Sequence, residues 1–274
     1  MNYLTKECMD LIDDVRTKTP LIHNITNYVT VNDCANAVLA MGASPIMADD
    51  LSEVEEIVSI SSALVINIGT LNQRTIESMI TAGKKANTLQ IPVVVDPVGA
   101  GASSLRNKAT REILSQVKID VLRGNLSEVS FVAGLSVSTK GVDAAKEDQK
   151  NDATDIAKMV ADKLSCVVGI TGEVDTISDG VRVAKIANGN QLMTKVTGTG
   201  CMTSAIVGSF CGVTKDYYTA TVAGIASMGI SGDLAYEKAG AVGTGSFHIG
   251  IIDALSNMNR DCFVERAKID ETKY

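Results

Sequence analysis

The sequence has no tryptophan and only two histidines among its 274 residues. Catalytic or metal sites that require a histidine cluster are therefore not expected. Its six cysteines are scattered and form no CxxC pair, which disfavours a zinc site or a disulfide framework and suits reduced thiols in a cytoplasmic protein. No apolar run approaches the roughly 20 residues of a membrane span, and the acidic start is unlike a signal peptide.

The chain has fewer basic than acidic residues, 25 Lys and Arg against 32 Asp and Glu, and its formal net charge is −7. This charge argues against nucleic acid or an anionic membrane as the main partner. At 45% hydrophobic residues the chain can bury a large core. With no low-complexity linker to divide it, we expect a single domain over residues 1–274, with a small molecule as its partner.

Short apolar runs alternate with helical patterns over the first two thirds of the chain. The runs predict strands over 44–48, 63–68, 92–96, 120–123 and 166–171, without the alternation of half-exposed strands. The helical patterns lie over Val31–Met41, 51–61, 72–87, 104–115, 127–133 and Asp152–Leu164. This order is typical of an α/β fold with a mostly parallel central sheet and helices on both faces.

Beyond Gly172 the pattern changes. Residues 175–178 and 181–187, joined through Asp179-Gly180, predict a β-hairpin. From Gly200 onward the sequence is mostly helical. Residues 136–152, which include Lys140 and Lys150, predict an exposed segment.

The segment VTGTGCMTS, residues 196–204, is the most informative one. Gly198 and Gly200 form a turn that opens directly into a helical run beginning at Cys201. Glycines let backbone amides approach an anion, and a helix start directs unpaired N–H groups and a positive dipole end toward it. The turn therefore predicts a phosphate site with a reactive thiol at its edge. No GxxxxGK[ST] motif or complete GxGxxG motif occurs, which excludes P-loop and Rossmann nucleotide sites.

Polar residues follow four of the predicted strands, where ligands of parallel sheets gather. The four segments begin at Asn67, Asp96, Arg123 and Ile170. Asp96 and Glu128 are candidate Mg²⁺ carboxylates; the alternatives are a turn-stabilising aspartate and a glutamate in the first turn of a helix.

Alternatives also exist for an arginine, the two histidines and the cysteines. Arg123 ends an apolar strand, so it is expected to meet an anion, either a phosphate or a structural carboxylate. His23 and His248 are expected to be hydrogen-bonded core residues, and the cysteines other than Cys201 to be buried small apolar side chains.

Six segments together resemble the hydroxyethylthiazole kinases of thiamine biosynthesis. They occur in the order of that family: LIHNITNYVTVN (21–32), MGASPIM (41–47), VDPVGA (95–100), RGNLSE (123–128), GITG (169–172) and TGTGC (197–201). The resemblance implies a ribokinase-like fold and transfer of the ATP γ-phosphoryl group to the hydroxyl of 4-methyl-5-(2-hydroxyethyl)thiazole. It also implies Mg²⁺, and a homotrimer with active sites between subunits.

The resemblance also implies roles for individual residues. The substrate-binding residues would be Met47, Asn24, Gly198 and, from an adjacent subunit, Gly69 and Thr70. The residues at the ATP phosphates would be Arg123, Thr171 and Gly200, with Asp96 and Glu128 organising Mg²⁺. Cys201 occupies the place where the wider superfamily usually has an aspartate base, and it would orient the substrate hydroxyl and accept its proton late.

Two other functions compete with this one. One is a related kinase acting on hydroxymethylpyrimidine or pyridoxal, against which Cys201 weighs because such relatives commonly have aspartate there. The other is a non-catalytic metabolite-binding relative, which is expected to have lost Asp96, Glu128 or the TGTG turn, whereas all three are present.

Overall fold

The computed structural model describes residues 3–135 and 152–273. Its strands are β1 (Leu21–Ile25), β2 (Ser44–Ile46), β3 (Ala63–Asn67), β4 (Val93–Asp96), β5 (Val121–Asn125), β6 (Val167–Thr171), β7 (Asp175–Ser178), β8 (Arg182–Ile186) and β9 (Ile269–Lys273). Its α-helices are α1 (Tyr3–Lys18), α2 (Val31–Met41), α3 (Val54–Ser59), α4 (Gln73–Leu89), α5 (Ser104–Gln116), α6 (Leu126–Ala133), α7 (Asp152–Leu164), α8 (Thr199–Cys211), α9 (Tyr217–Ala239), α10 (Thr244–Ser256) and α11 (Arg260–Arg266).

All of these strands belong to one sheet, in the order β2-β1-β3-β4-β5-β6-β7-β8-β9. The pairings from β2 to β6 are parallel, and those from β6 to β9 are antiparallel. The expectation of a mostly parallel sheet is confirmed. Because the parallel strands run in the same direction, the polar residues that follow them are brought to one edge of the sheet.

Successive residues of each central strand pack against opposite layers of helices. On β3, Val65 belongs to the core beneath α8 and α9, whereas Leu64 and Ile66 belong to the core beneath α4 and α5. Both layers are apolar, so the strands are buried on both faces, as their near-continuous hydrophobic sequences predict. The expected helices on both faces are confirmed.

The sequence patterns do not predict α1, β1 or β9. β1 contains His23 and Asn24, two polar residues that are nonetheless buried, and their polarity hides the strand. β9 has the sequence IDETK and pairs only with β8, so it is a charged edge strand without an apolar face to recognise. Residues 51–61 form a shorter helix than expected, α3, and the predicted strand 44–48 ends at Ile46.

The hairpin prediction is confirmed by β7 and β8, which pair across the turn at Asp179-Gly180. The predicted exposed segment 136–152 lies outside the described residues, apart from the backbone of Asp152. Within the described ranges, every helix is too short or too polar to cross a membrane.

Candidate active site

The candidate site lies at the carboxyl ends of the parallel strands. Asn67 and Asp96 are register partners at the ends of β3 and β4, and Asn125 and Thr171 are partners at the ends of β5 and β6. An open cleft of about 200 Å³ lies at this edge. It is lined by Asp96, Val98, Arg123, Asn125, Glu128, Gly198, Gly200 and Cys201. Six of the residues selected from the sequence are therefore brought together: Asp96, Arg123, Glu128, Gly198, Gly200 and Cys201.

The two glycines of the turn lie close against neighbouring side chains. Gly198 caps α8 with a φ of +87°, a left-handed conformation that favours glycine. A Cβ atom there would lie 2.6 Å from Cγ2 of Thr30, and one at Gly200 would lie 2.9 Å from Nη1 of Arg123. Because the capping residue is a glycine, no side chain caps the first amides of α8. These donors are free to bind an anion at the cleft.

Cys201 lies in the first turn of α8 and is only partly buried. Its Sγ accepts a hydrogen bond from Nδ2 of Asn27 at 3.3 Å. Cys8, Cys34, Cys166 and Cys211 are buried, as expected, and Cys262 is partly exposed, so the expectation was wrong for that residue. Burial raises the pKa of the Cys34 and Cys166 thiols to about 12. Cys201 differs from these buried cysteines because it is only partly buried and lines the cleft.

Asp96 is a buried carboxylate with one oxygen engaged and one unpaired. Its Oδ2 accepts hydrogen bonds from Oγ of Ser204 at 2.7 Å and Nδ2 of Asn67 at 3.1 Å, and lies 3.5 Å from Nη1 of Arg123. Its Oδ1 is buried without a hydrogen-bond partner. Burial raises the pKa of Asp96 to about 6; the Arg123 cation opposes this rise and the Glu128 charge adds to it.

Arg123 contacts a structural carboxylate, one of the two kinds of anion that the sequence left open. Its Nη1 is paired with Asp96, a structural carboxylate, and its Nη2 donates to Oγ1 of Thr171. Its Nε is buried and has no hydrogen-bond partner. Arg123 also lines the cleft, where an anion would reach it beside Gly200. The structural contact and a phosphate contact are therefore compatible.

Glu128 has the contacts of a glutamate in the first turn of a helix, the alternative reading of its sequence position. Its Oε2 accepts from the backbone N–H of Asn125 at 2.8 Å, while Oδ1 of Asn125 accepts from the N–H of Glu128 at 2.9 Å. This reciprocal arrangement is a capping box at the start of α6. Its Oε1 accepts from the N–H of Gly99 at 2.7 Å. A role for Glu128 near Mg²⁺ stays a prediction.

The other predicted substrate residues do not line this cleft. Met47 packs partly buried against the core beneath α8 and α9. The side chain of Asn24 is buried, and its Nδ2 donates to the carbonyl of Ile22. Oγ1 of Thr70 accepts from the N–H of Tyr28 at 3.2 Å. Their roles in substrate binding stay predictions.

One of the two histidines, His23, has the buried, hydrogen-bonded position that was expected. Nε2 of His23 contacts the carbonyl oxygen of Ala48 at 2.7 Å, and burial lowers the pKa of this imidazole. Nε2 of His248 lies 3.2 Å from Oδ1 of Asp33. His248 is partly exposed, so the expectation of a core position was wrong for this residue.

Sequence reasoning gave no role to Asn27, Asn67 or Ser204, which connect the site. Oδ1 of Asn67 accepts from Nδ2 of Asn27 at 3.0 Å, and Nδ2 of Asn67 and Oγ of Ser204 both donate to Asp96. One signal was available, because Asn67 ends a predicted strand alongside the other polar residues. Asn27 and Ser204 gave no comparable signal, since their partners are distant in sequence.

Comparison with known proteins agrees with this geometry. The model of the hydroxyethylthiazole kinase family matches residues 12–261. The hydroxyethylthiazole kinase of Ruminiclostridium cellulolyticum is 64% identical over 99% of this chain and 100% of its own length. The solved hydroxyethylthiazole kinase from Pyrococcus horikoshii OT3 is 40% identical, with a TM-score of 0.89 over 98% of this chain and 100% of that chain.

A more distant structure shows the fold alone. It is a ribokinase-like superfamily protein from Enterococcus faecalis V583, 11% identical, with a TM-score of 0.63 over 92% of this chain and 95% of that chain. The expected ribokinase-like fold is confirmed. The chain belongs to the hydroxyethylthiazole kinase family.

Proposed function

We propose that this protein transfers the γ-phosphoryl group of ATP to the hydroxyl of 4-methyl-5-(2-hydroxyethyl)thiazole. The observation that carries the proposal is the convergence of the uncapped start of α8, Arg123, Asp96 and Cys201 on one cleft. Phosphoryl transfer needs mainly positioning and charge neutralisation, which these groups provide. The names of the relatives, all matched over nearly their full lengths, supply the identity of the alcohol.

The phosphates of ATP are held by amides and one cation in this proposal. The backbone N–H groups at Gly198–Gly200 bind the γ-phosphate, and the dipole of α8 favours its negative charge. Arg123 lies beside Gly200 and neutralises charge that develops on the transferring group. Thr171, which accepts a hydrogen bond from Nη2 of Arg123, fixes the guanidinium. We propose that it contacts the phosphates as well.

The residues present fit a Mg²⁺ ion brought in with the nucleotide. Mg²⁺ bound through phosphates requires only one or two carboxylates together with water. Oδ1 of Asp96 is a buried oxygen without a partner, and Glu128 lines the same cleft. Asp96 and Glu128 would hold the ion, which would neutralise phosphate charge when bound. Within the described ranges, no three His, Cys, Asp or Glu side chains cluster as a metal site, so the nucleotide phosphates and water would supply the remaining ligands.

Cys201 acts on the hydroxyl that receives the phosphoryl group. The hydroxyl oxygen forms a bond to the γ-phosphorus as the bond to the bridging oxygen of ADP breaks. In a loose transition state the hydroxyl proton leaves late, so a strong base is unnecessary. The Cys201 thiolate orients the hydroxyl and takes this proton, leaving the thiol and the thiazole phosphate.

A turnover assay tests the proposal. MgATP is offered with the thiazole alcohol, with hydroxymethylpyrimidine or with pyridoxal, and ADP release and phosphorylated product are both measured. We expect product from the thiazole alcohol at least about tenfold faster than from the other two, because one misplaced group in a fitted pocket typically costs that much. Preference for either of the others would contradict the substrate assignment. No turnover with any alcohol would favour the non-catalytic alternative.

We also propose that residues 1–274 form one kinase domain that assembles as a cytoplasmic homotrimer, with the active sites between subunits. Large apolar side chains at Tyr28, Val29, Leu39 and Ile249 are each more than half exposed, which supports a buried subunit contact. The N–H of Tyr28 donates to Thr70, so Tyr28 adjoins the predicted substrate residues Gly69 and Thr70. Sedimentation equilibrium should give three times the mass of 28.8 kDa; a monomer or dimer would contradict the proposal.

A further inference from the structure

We propose that Asn27 is a positioning residue for the Cys201 thiol, and that Gly69 is a glycine because it must accommodate Asn27. The inference rests on the proposed role of Cys201. Asn27 lies in the loop between β1 and α2 and is 4% exposed. Its amide nitrogen donates to two acceptors, Sγ of Cys201 at 3.3 Å and Oδ1 of Asn67 at 3.0 Å.

The orientation of this amide is fixed by its other end. Oδ1 of Asn27 accepts from the backbone N–H of Thr30 at 3.2 Å and from Oγ1 of Thr30 at 3.1 Å. A flipped amide would direct its NH₂ group at the Thr30 N–H, a group that can only donate. Asn27 therefore presents N–H, and not oxygen, to the sulfur. A donor at this distance keeps Sγ in one place and one orientation at the cleft.

Gly69 makes room for this amide. A Cβ atom at Gly69 would lie 2.7 Å from Nδ2 of Asn27 and 2.9 Å from its Cβ and Cγ. The N–H of Gly69 also donates to Oδ1 of Asn67 at 2.9 Å. The φ of Gly69 is not in the left-handed region, so close approach and not backbone conformation requires a glycine. This explains Gly69 without a substrate contact.

The same amides connect the thiol to the buried carboxylate. Asn67 receives the hydrogen bond from Asn27 and passes one to Asp96. The other charged or titratable groups around Cys201 are Arg123 and Glu128, which line the cleft, and Cys34 and Asp33 from α2. Among the described side chains that contact Sγ, Asn27 is the donor that the structure records. The N–H···S bond is therefore the contact to perturb.

The first experiment replaces this donor by an acceptor of the same shape. Asn27→Asp should lower kcat at least about tenfold and leave the KM for the thiazole alcohol within about twofold, because a lost charge-assisted hydrogen bond is worth at least that factor. Iodoacetamide should alkylate Cys201 about tenfold more slowly at pH 7.5, measured on its peptide by mass spectrometry with Cys262 as internal reference. Asn36→Asp, the same change at an exposed site on α2, should leave both quantities unchanged.

A double-mutant cycle shows whether Asn27 acts through the Cys201 thiol or in some other way. In a Cys201→Ala background, Asn27→Asp should lower kcat no further. A multiplicative loss, or alkylation at the original rate in Asn27→Asp, would overturn the inference. If Cys201→Ala alone turns over normally, the proposed role of the cysteine fails, and the alkylation rate still decides whether Asn27 controls the thiol.

Gly69→Ala provides a test that does not alter the hydrogen-bonding groups, and it covers the case in which Asn27→Asp fails to fold. The added methyl should displace the Asn27 amide. We therefore expect a lower kcat and slower alkylation of Cys201. Gly245→Ala is the control, because a Cβ atom at Gly245 meets no atom within 4 Å. If Gly69→Ala raises only the KM for the thiazole alcohol, Gly69 contacts substrate and the inference is wrong.

Discussion

Removing Arg123 should destabilise the protein in a pH-dependent way, because Asp96 would lose the cation beside it. Both side chains are almost fully buried, and Arg123 lowers the pKa of Asp96 against the rise caused by burial. Breaking a buried pair by deleting one partner costs about 3–5 kcal/mol. In Arg123→Ala this cost applies while Asp96 is ionised and is relieved when the carboxylate is protonated.

The sign of the effect follows from the direction of the pKa shift. The pKa of Asp96 is about 6 in the folded protein and 3.8 ordinarily, so stability is lost as the pH rises through this interval. Without Arg123 the folded-state pKa rises further, and the loss extends to higher pH. We therefore expect Arg123→Ala to be about 3 kcal/mol less stable than the parent at pH 8 and to recover most of this difference at pH 5.

Urea unfolding at pH 5 and pH 8, at fixed protein concentration, measures this difference. Arg74→Ala is the matched control, since Arg74 pairs with Asp49 and Asp50 on the surface and exposed pairs contribute about 0–1 kcal/mol. The KM for ATP should rise about tenfold or more in Arg123→Ala, while the KM for the thiazole alcohol stays near its starting value. Equal destabilisation at both pH values would refute the electrostatic reasoning, and equal weakening of both substrates would make Arg123 a structural residue only.

Three further predictions concern single residues. Cys201→Ala should lower kcat with little change in the KM for the thiazole alcohol, and near-normal turnover would exclude the thiol as proton acceptor. Gly200→Ala places a methyl 2.9 Å from Nη1 of Arg123 and should weaken ATP binding in a nucleotide titration, whereas Gly245→Ala should not. Burial raises the pKa of Asp175 from 3.8 to about 7, so Asp175→Asn should flatten the loss of stability between pH 4 and pH 7; an unchanged pH profile of unfolding would contradict this. The rise in the pKa of Asp175 costs roughly 4 kcal/mol of stability once the carboxylate is fully ionised, because each pKa unit is worth about 1.36 kcal/mol.

Much of the parallel half of the fold could be predicted from the sequence. β3 to β6 are short apolar runs bounded by turns, and α2 and α7 occur within the predicted limits. β1 was missed because its buried positions include His23 and Asn24, whose contacts are made by tertiary structure. Periodicity alone does not reveal a polar residue whose partner lies elsewhere in the chain.

The site was predictable where a local pattern sufficed and not where contacts are long-range. The TGTG turn, Asp96 and Arg123 each stand out in a short segment and meet in one cleft. The amide of Asn27 joins its loop to Asn67, 40 residues away at the end of β3, and to Cys201 on α8, 174 residues away. Only the packing of β1, β3 and α8 brings these groups together.

A crystal structure with a non-hydrolysable ATP analogue, Mg²⁺ and the thiazole alcohol tests the central claim most directly. The γ-phosphate oxygens should lie about 3 Å from the first backbone nitrogens of α8, with the alcohol oxygen between that phosphate and Sγ of Cys201. A triphosphate bound away from the Gly198–Gly200 turn, or an alcohol beyond hydrogen-bonding distance of the thiol, would contradict it.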